Sequence, residues 1–224
     1  MESGSFDPAS FSGTVPVFPL PNCVLFPGMF LPLHIFEPRY RAMTADALGG
    51  ERLIAMALLK PGWEKDYEGA PAIHEIVCVG KIVEDAKLED GRYNIVLLGL
   101  SRARILEEVG KGPYRVARVE VLEEKASDEK RTGRKRRVLF ELYAAIMRTV
   151  NKGAVPVPPD DVPLGMLVDL VVPFVVKEPG VKQQLLERLD PEERYESLME
   201  RLGVPERIEN PPRPKVWPRG PSLN

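Results

Sequence analysis

The chain has 224 residues, enough for one large domain or two small ones. Hydrophobic residues make up 44% of it and charged residues 29%, which is the balance of an ordinary globular protein. Because the formal net charge is only −2, no overall field attracts the chain to nucleic acid or to anionic lipid. Binding of either kind would need a local basic patch.

The sequence also predicts where the protein resides. The N-terminus, MESGSFDPAS, is polar and acidic and lacks the basic-then-apolar pattern of a signal peptide. The most apolar run, MLVDLVVPFVV, is too short and too interrupted to span a bilayer. Cys23 and Cys78 lie among apolar neighbours outside any CxxC pair, which favours two buried, reduced thiols. These features predict a cytoplasmic protein.

From residue 14 to about 124 the patterns are mostly those of β-strands. Gly and Pro punctuate short apolar runs, and Glu89-Asp90-Gly91 is typical of a tight turn between two long strands. One helix interrupts them, beginning at Pro38 and stopped by Gly49-Gly50. Strands at this spacing predict a small barrel or rolled sheet. The predicted strands are residues 15–20, 52–59, 74–88, 92–109 and 114–124.

From about residue 128 apolar residues recur at helical spacing. Four helices are predicted, and the clearest has Asp190 as N-cap, Pro191 at its first position and Gly203 at its end. A β unit followed by helices predicts an α+β protein. The predicted division is a flexible N-terminus (1–13), a β-rich part (14–124), a helical part (125–206) and an extended Pro-rich tail (207–224) that contains Trp217.

No motif for catalysis, nucleotides or metals emerges from the sequence. A P-loop and a nucleophile elbow are both absent, and His34 and His74 lie in no metal-ligand spacing. His34 sits in an apolar and aromatic run, so we predict a packed, hydrogen-bonded side chain. We expect no catalytic residues, no cofactor and no metal. A hydrolase with paired carboxylates far apart in sequence remains an alternative.

The strongest charge feature is KRTGRKRR at residues 130–137. We interpret it as a solvated connector between the two parts, with a helix starting at its end. Contact with nucleic acid phosphates is the alternative, although no aromatic residues interleave to form a stacking platform.

Four segments resemble one family. VFPLPNCVLFPGMFLPLHIFEPRYRAM (17–43) resembles the opening of the Lon substrate-binding domain, the N-terminal domain of the ATP-dependent Lon protease, and most of all its stand-alone bacterial form. EIVCVGKIVED resembles the family's E-x-G-x-V-G-x-I strand, with Val77 in place of the first Gly. LEDGRYNIVLLGLSRARILE resembles its D-G-x-x-x-I-x-x-x-G-x-x-R-x-x-I segment. The last segment, YRVARVEVLEE (114–124), resembles the strand that follows in the family. The resemblance extends from about residue 14 to 202.

The resemblance implies a PUA-like β roll or pseudo-barrel followed by a C-terminal helical bundle. It also implies a role, since in the full protease this domain helps to capture unfolded or tagged substrates and supports hexamer assembly. Walker motifs are absent, and 224 residues leave no room for ATPase and Ser-Lys protease domains. The resemblance therefore implies recognition without proteolysis.

The Pro-rich apolar stretch is the candidate binding surface. Its prolines divide it into short extended pieces that can line a β roll. Met and aromatic side chains that stay exposed would suit an unfolded or extended polypeptide. The predicted peptide-binding residues are Phe26, Met29, Phe30, Leu33 and Phe36. The alternatives are a PUA-like protein that binds RNA and an adaptor for a separate ATPase, protease or other partner, docked through the tail around Trp217.

Overall fold

The computed structural model describes residues 11–66, 69–110, 112–150 and 162–203. The predictions for residues 1–10, for the tail 207–224 and for Trp217 lie outside these ranges. Within them, six β-strands and five α-helices follow the predicted α+β order. The elements are β1 (Thr14–Leu20), β2 (Phe30–Ile35), α1 (Pro38–Gly49), β3 (Leu53–Leu58), a 3-10 turn (Trp63–Asp66), β4 (Ile76–Lys87), β5 (Tyr93–Glu108), β6 (Arg115–Val121), α2 (Glu129–Val150), α3 (Leu164–Val175), α4 (Pro179–Leu186) and α5 (Pro191–Arg201).

The strands form one mixed sheet that closes on itself. Its order is β2-β5-β4-β3-β1-β6, and β5 also pairs with β6. The parallel pairing of β1 with β3 is enclosed by antiparallel neighbours on both sides. Because β5 is 16 residues long, its second half closes the ring with β6 while its first half extends beyond it. The predicted barrel or rolled sheet is therefore confirmed.

Beyond the ring, three strand segments form what we call the outer arm. It consists of β2, residues 81–87 of β4 and residues 93–98 of β5, all antiparallel. The predicted Glu89-Asp90-Gly91 turn joins its two long strands, with Gly91 at φ +81°. Two register shifts in the pairing of β4 with β5, one at Val79/Gly80 and one at Ile82/Glu84, mark where the arm leaves the ring.

Two clusters of buried side chains lie on opposite faces of the strands. Small aliphatic residues, among them Val15, Ala55 and Val79, form one cluster between strands. The other is larger and continues from the strands into the helices, so that Cys78 and Leu139 belong to the same core. The β-rich and helical parts therefore share a hydrophobic core. No helix in the described ranges is long and apolar enough to cross a membrane.

The interpretation of residues 130–137 as a connector is wrong, because α2 begins at Glu129 and this basic run is helical. The N–H of Arg131 points to the Asp128 carboxylate at 3.4 Å, which supplies an acceptor at the helix start. The side chains of Arg131 and Lys135 then pair with Glu192 of α5 at 2.7 and 2.9 Å. These carboxylates offset the cost of cations near a helix N-terminus.

Candidate functional site

β2 presents two different faces, as a strand with alternating side chains must. Leu31 and Leu33 pack against the large core and Ile35 is buried within it. Phe30 lies on the opposite face and is 62% exposed. The alternation continues past the strand end to Phe36, which is 60% exposed. We call this outer face the β2 surface; its members are Phe30, Pro32, His34 and Phe36.

The five predicted peptide-binding residues are thereby divided. Phe30 and Phe36 share the β2 surface, which leaves large aromatic area in solvent. Met29 and Leu33 are partly buried and pack against the large core. Phe26 is fully buried in that core, so it cannot contact a peptide without unfolding and is removed from the proposed site.

Phe26 is held in the core by a tight turn against β5. A Cβ atom on Gly99 would lie only 2.1 Å from the Phe26 carbonyl oxygen, so only glycine allows this approach. Gly28 takes φ +78° and donates its N–H to the Gly99 oxygen at 2.9 Å, and Gly99 donates to the Met29 oxygen at 2.9 Å. This turn fixes the register in which β2 joins β5. Gly99 is the second glycine of the family-like segment found in the sequence.

The outer edge of β2 is open in the described part of the chain. The bond from Gly99 to Met29 makes that pair a hydrogen-bonded one, and in an antiparallel ladder such pairs alternate. The backbone groups of Phe30, Pro32 and His34 therefore point away from β5. Since proline has no N–H, the middle of this edge lacks a donor.

A groove of about 430 Å³ runs along the outer face of the arm. In the register, Pro32 stands beside Val96, and Val96 beside Glu84. The groove therefore has an apolar wall on β2, a floor on β5 and a wall on β4 that carries a carboxylate. The outward-facing residues that line it are Pro32, His34, Glu84, Ala86, Asn94 and Val96.

His34 is exposed on the β2 surface, so the predicted packing of this side chain is wrong, whereas its hydrogen bonding is confirmed. Nδ1 lies 2.7 Å from the Asn94 amide oxygen, and Nε2 lies 3.1 Å from Nη1 of Arg92. Because Arg92 can only donate, Nε2 accepts and Nδ1 donates. The His34 and Phe36 rings stack with centroids 6.2 Å apart. The His34 ring, oriented by Asn94 and Arg92, thus packs beside the exposed Phe36 ring on the β2 surface.

The two cysteines are free thiols. Cys78 is fully buried, and burial raises its pKa to about 12. Cys23 is only partly buried, and burial likewise raises its pKa. A protonated thiol is a poor nucleophile and a poor metal ligand. No group of three or more His, Cys, Asp or Glu side chains in the described ranges is placed to hold a metal ion.

A buried group of charges joins the strands to the helices, and sequence reasoning missed it. Arg102 of β5 makes a bidentate pair with Asp169 of α3 at 2.8 and 2.9 Å. Arg102 also contacts Glu124 at 2.6 Å, and Arg194 of α5 completes the group 3.2 Å from Asp169. Two signals were available: Asp169 is the lone charge in an apolar helix, and Arg102 is the arginine of the family-like segment. We interpret this buried group of charges as structural, because it connects β5 to α3 and α5.

Comparison with known proteins identifies the family of this chain. The family model described as the ATP-dependent protease La (LON) substrate-binding domain matches residues 14–203. The chain belongs to this family. Lon protease 2 of Myxococcus xanthus is 30% identical over 193 residues, and Lon protease of Desulfosudis oleivorans is 28% identical over 195 residues. These matches cover 84% and 85% of this chain but only 23% and 24% of the relatives, so the chain spans about a quarter of their length.

Solved structures of this family share the fold. The Lon N-terminal domain protein from Xanthomonas campestris superposes with a TM-score of 0.62 at 22% identity, covering 84% of this chain and 97% of that one. The N-terminal domain of Mycobacterium avium complex Lon protease gives a TM-score of 0.61 at 20% identity, covering 84% and 96%. The predicted family and the α+β fold of a Lon N-terminal domain are thus confirmed.

Proposed function

We propose that this Lon substrate-binding domain protein is a non-catalytic module that binds unfolded or exposed apolar polypeptide segments on its β2 surface. Two large aromatic side chains, 62% and 60% exposed on one face of an edge strand, carry the proposal. The description of the matching family as a substrate-binding domain supports it. The family model covers residues 14–203, which supports a recognition role for this part of the chain.

The physical reason lies in the area that binding would remove from water. Burying a Phe side chain completely is worth roughly 1.5–3 kcal/mol, and the β2 surface leaves more than half of two such side chains exposed. An unfolded segment can extend along the neighbouring groove and adapt to it, whereas a folded protein keeps its apolar residues inside. The surface therefore favours unfolded chains over native ones.

The segment is proposed to lie on the face of the outer arm rather than to extend its edge. Strand addition needs a continuous row of backbone donors and acceptors, and Pro32 removes the central donor. Proline on an edge strand is also a common protection against aggregation. A separate ATPase or protease that receives the captured chain is part of the same proposal.

The test is binding of a reduced, carboxymethylated α-lactalbumin, which is permanently unfolded, compared with native α-lactalbumin. Fluorescence anisotropy at low and moderate salt measures both. We expect preference for the unfolded form with little salt dependence, because apolar burial is not screened. Equal affinity for both forms, or no binding to either, would overturn the proposal. A steep fall in affinity with salt would instead indicate a charge-led contact.

Matched variants locate the site. The double substitution Phe30→Ser and Phe36→Ser should weaken binding of the unfolded chain about tenfold or more, which corresponds to about 1.4 kcal/mol. Leu106→Ser is the control, because Leu106 is 47% exposed on the half of β5 that pairs with β6, away from the arm. If the control weakens binding as much as the double variant, the β2 surface is not the site.

A further inference from the structure

The groove on the outer arm has two unlike walls. On β2 the outward wall is formed by Pro32 and His34, in line with the exposed Phe30 and Phe36 at its two ends. On β4 the exposed Glu84 faces the same side across Val96. We propose that the groove selects segments that combine apolar side chains with a lysine or arginine, held by Glu84. This inference rests on the proposed function and names the class of segment that it captures.

Glu84 differs from the neighbouring acids in the ion pairs that it makes. Its neighbour Asp85 pairs with Arg52 at 2.6 Å. Arg92, at the end of the groove, pairs with Asp90 at 2.6 Å and contacts His34. For Glu84 the structure gives no ion pair within 4.0 Å in the described ranges. A basic side chain from a bound segment therefore meets a carboxylate that no arginine of the arm already neutralises.

Two lysines of β4, Lys87 and Lys81, each lie three positions from Glu84. Lys87 stands beside the buried Tyr93 and so lies on the opposite face of the arm, which leaves Lys81 as the basic residue of β4 on the outer face. Lys81 stands beside Leu98 in the register, two β5 positions from the Val96 that faces Glu84. Two positions along a strand correspond to roughly 7 Å, and the structure gives no ion pair within 4.0 Å between Lys81 and Glu84. Lys81 thus leaves a site for a cation over Glu84 while discouraging one at the Phe30 end of the groove.

The dimensions of the arm allow both walls to act on one segment. Pro32 and Glu84 flank Val96 on either side, so they are separated by two strand spacings, roughly 10 Å. A single extended chain lying over Val96 is about one strand spacing from each wall. Its apolar side chains can turn toward β2 while a lysine turns toward β4.

The experiment uses three fluorescent peptides that share an apolar and aromatic sequence and differ in one central residue, Lys, Gln or Glu. Anisotropy titrations against the full chain give the affinity of each. We expect the Lys peptide to bind about three- to tenfold more tightly than the Glu peptide at low salt. The difference should shrink at high salt, while binding itself persists.

Glu84 variants assign the preference to this residue. Glu84→Gln should abolish it, and Glu84→Lys should reverse it in favour of the Glu peptide. Glu120→Lys makes the same change in net charge at an exposed position of β6 and should leave the preference intact. Thermal melts check that each variant is folded.

The outcomes separate this inference from the proposed function. If all three peptides bind equally well, or if Glu84→Lys keeps the wild-type order, selection by Glu84 is wrong and apolar capture stands. If neither the peptides nor unfolded α-lactalbumin bind, both proposals fall.

Discussion

Arg102 makes polar contacts that connect the strands to the helices. Its Nε donates to the Leu186 oxygen at 2.9 Å, and its two terminal nitrogens hold Asp169. Burial acts to lower the pKa of Arg102, but the charge and hydrogen bonds of Asp169 and the charge of Glu124 outweigh it and raise that pKa. The guanidinium therefore stays charged inside the protein. The stability of the fold then depends on the carboxylates that pair with this buried charge.

Asp169→Ala should accordingly be among the most damaging single substitutions. It leaves two buried guanidinium groups, Arg102 and Arg194, with Glu124 as their one remaining carboxylate in the described ranges, and breaking a buried pair typically costs about 3–5 kcal/mol. Urea unfolding measures the loss. The control is Glu107→Ala, which breaks an ion pair with Arg118 in which both side chains are more than half exposed, and which should cost less than about 1 kcal/mol. Equal losses in the two variants would contradict a structural role for the buried pair.

A pair of glycine substitutions tests the turn that fixes Phe26. Gly99→Ala should cost about 2 kcal/mol or more, because the new Cβ would lie 2.1 Å from the Phe26 oxygen and the backbone must shift. Gly133→Ala in α2 meets nothing within 4 Å and should instead stabilise the protein by about 0.5–1 kcal/mol. Chemical denaturation of both variants gives the comparison. A neutral effect of Gly99→Ala would mean that the turn is not closely held.

At the scale of elements, α5 shows how one carboxylate starts a helix. Asp190 accepts the N–H groups of Glu192 at 2.9 Å and Glu193 at 3.3 Å. Slight burial acts to raise the pKa of Asp190, but these two bonds and the nearby Lys125 ammonium outweigh it and hold that pKa below its ordinary value. The predicted N-cap is confirmed.

The lowered pKa of Asp190 gives a pH dependence of known sign. The unfolded carboxyl titrates near about 3.9, so the stabilisation is complete above that pH and is lost as the pH falls through the lowered folded pKa. Asp190→Ala should destabilise the protein by about 1 kcal/mol at pH 7. Its deficit relative to the wild type should shrink in acid, as urea midpoints measured from pH 7 down to pH 3 would show.

β2 provides a test of edge protection. Pro32→Val restores the missing N–H in the middle of the open edge and adds a β-branched side chain, so it should increase self-association. Sedimentation velocity over a range of concentrations measures it against the wild type. Ala86→Val adds the same side chain to the arm without a new backbone donor and is the control. If both variants behave like the wild type, Pro32 does not protect the edge.

The elements that local chemistry determines were predictable from sequence. The turn at Gly91, the start of α1 at Pro38 and the cap at Asp190 depend on neighbours within a few residues, and each is confirmed. The helical start of the basic run had one local signal, Asp128 as an acceptor at the helix start, but the Glu192 carboxylate that offsets its cations comes from α5, about 60 residues away. Its own residues argue against a helix start there.

For the candidate site, the sequence pointed to a stretch of chain but not to which of its side chains are exposed. Which of Phe26 and Phe30 faces solvent depends on the turn between them, and that turn depends on Gly99, some 70 residues later. In a strand the alternation is strict, but its phase is set by the register with a partner strand. Sequence alone supplied the alternation and not the phase.

At the scale of the molecule, the shared core bears on the predicted division into residues 14–124 and 125–206. Cys78 of β4 lies in the same cluster as helix residues such as Leu139, and Arg102 pairs across the same boundary. Two parts that bury one core together lose that burial together. We therefore expect a single cooperative unfolding transition in urea.

Two probes report on the two parts and decide whether they unfold together. Circular dichroism at 222 nm follows mainly α1–α5, and alkylation of Cys78, which is fully buried, follows the strands. A Cys23→Ser background removes the second thiol. Coincident midpoints are expected, because exposing Cys78 requires the helices to leave the strands. If Cys78 becomes reactive well before or after the helical signal is lost, the β-rich and helical parts fold independently, and the shared core contributes less than its burial suggests.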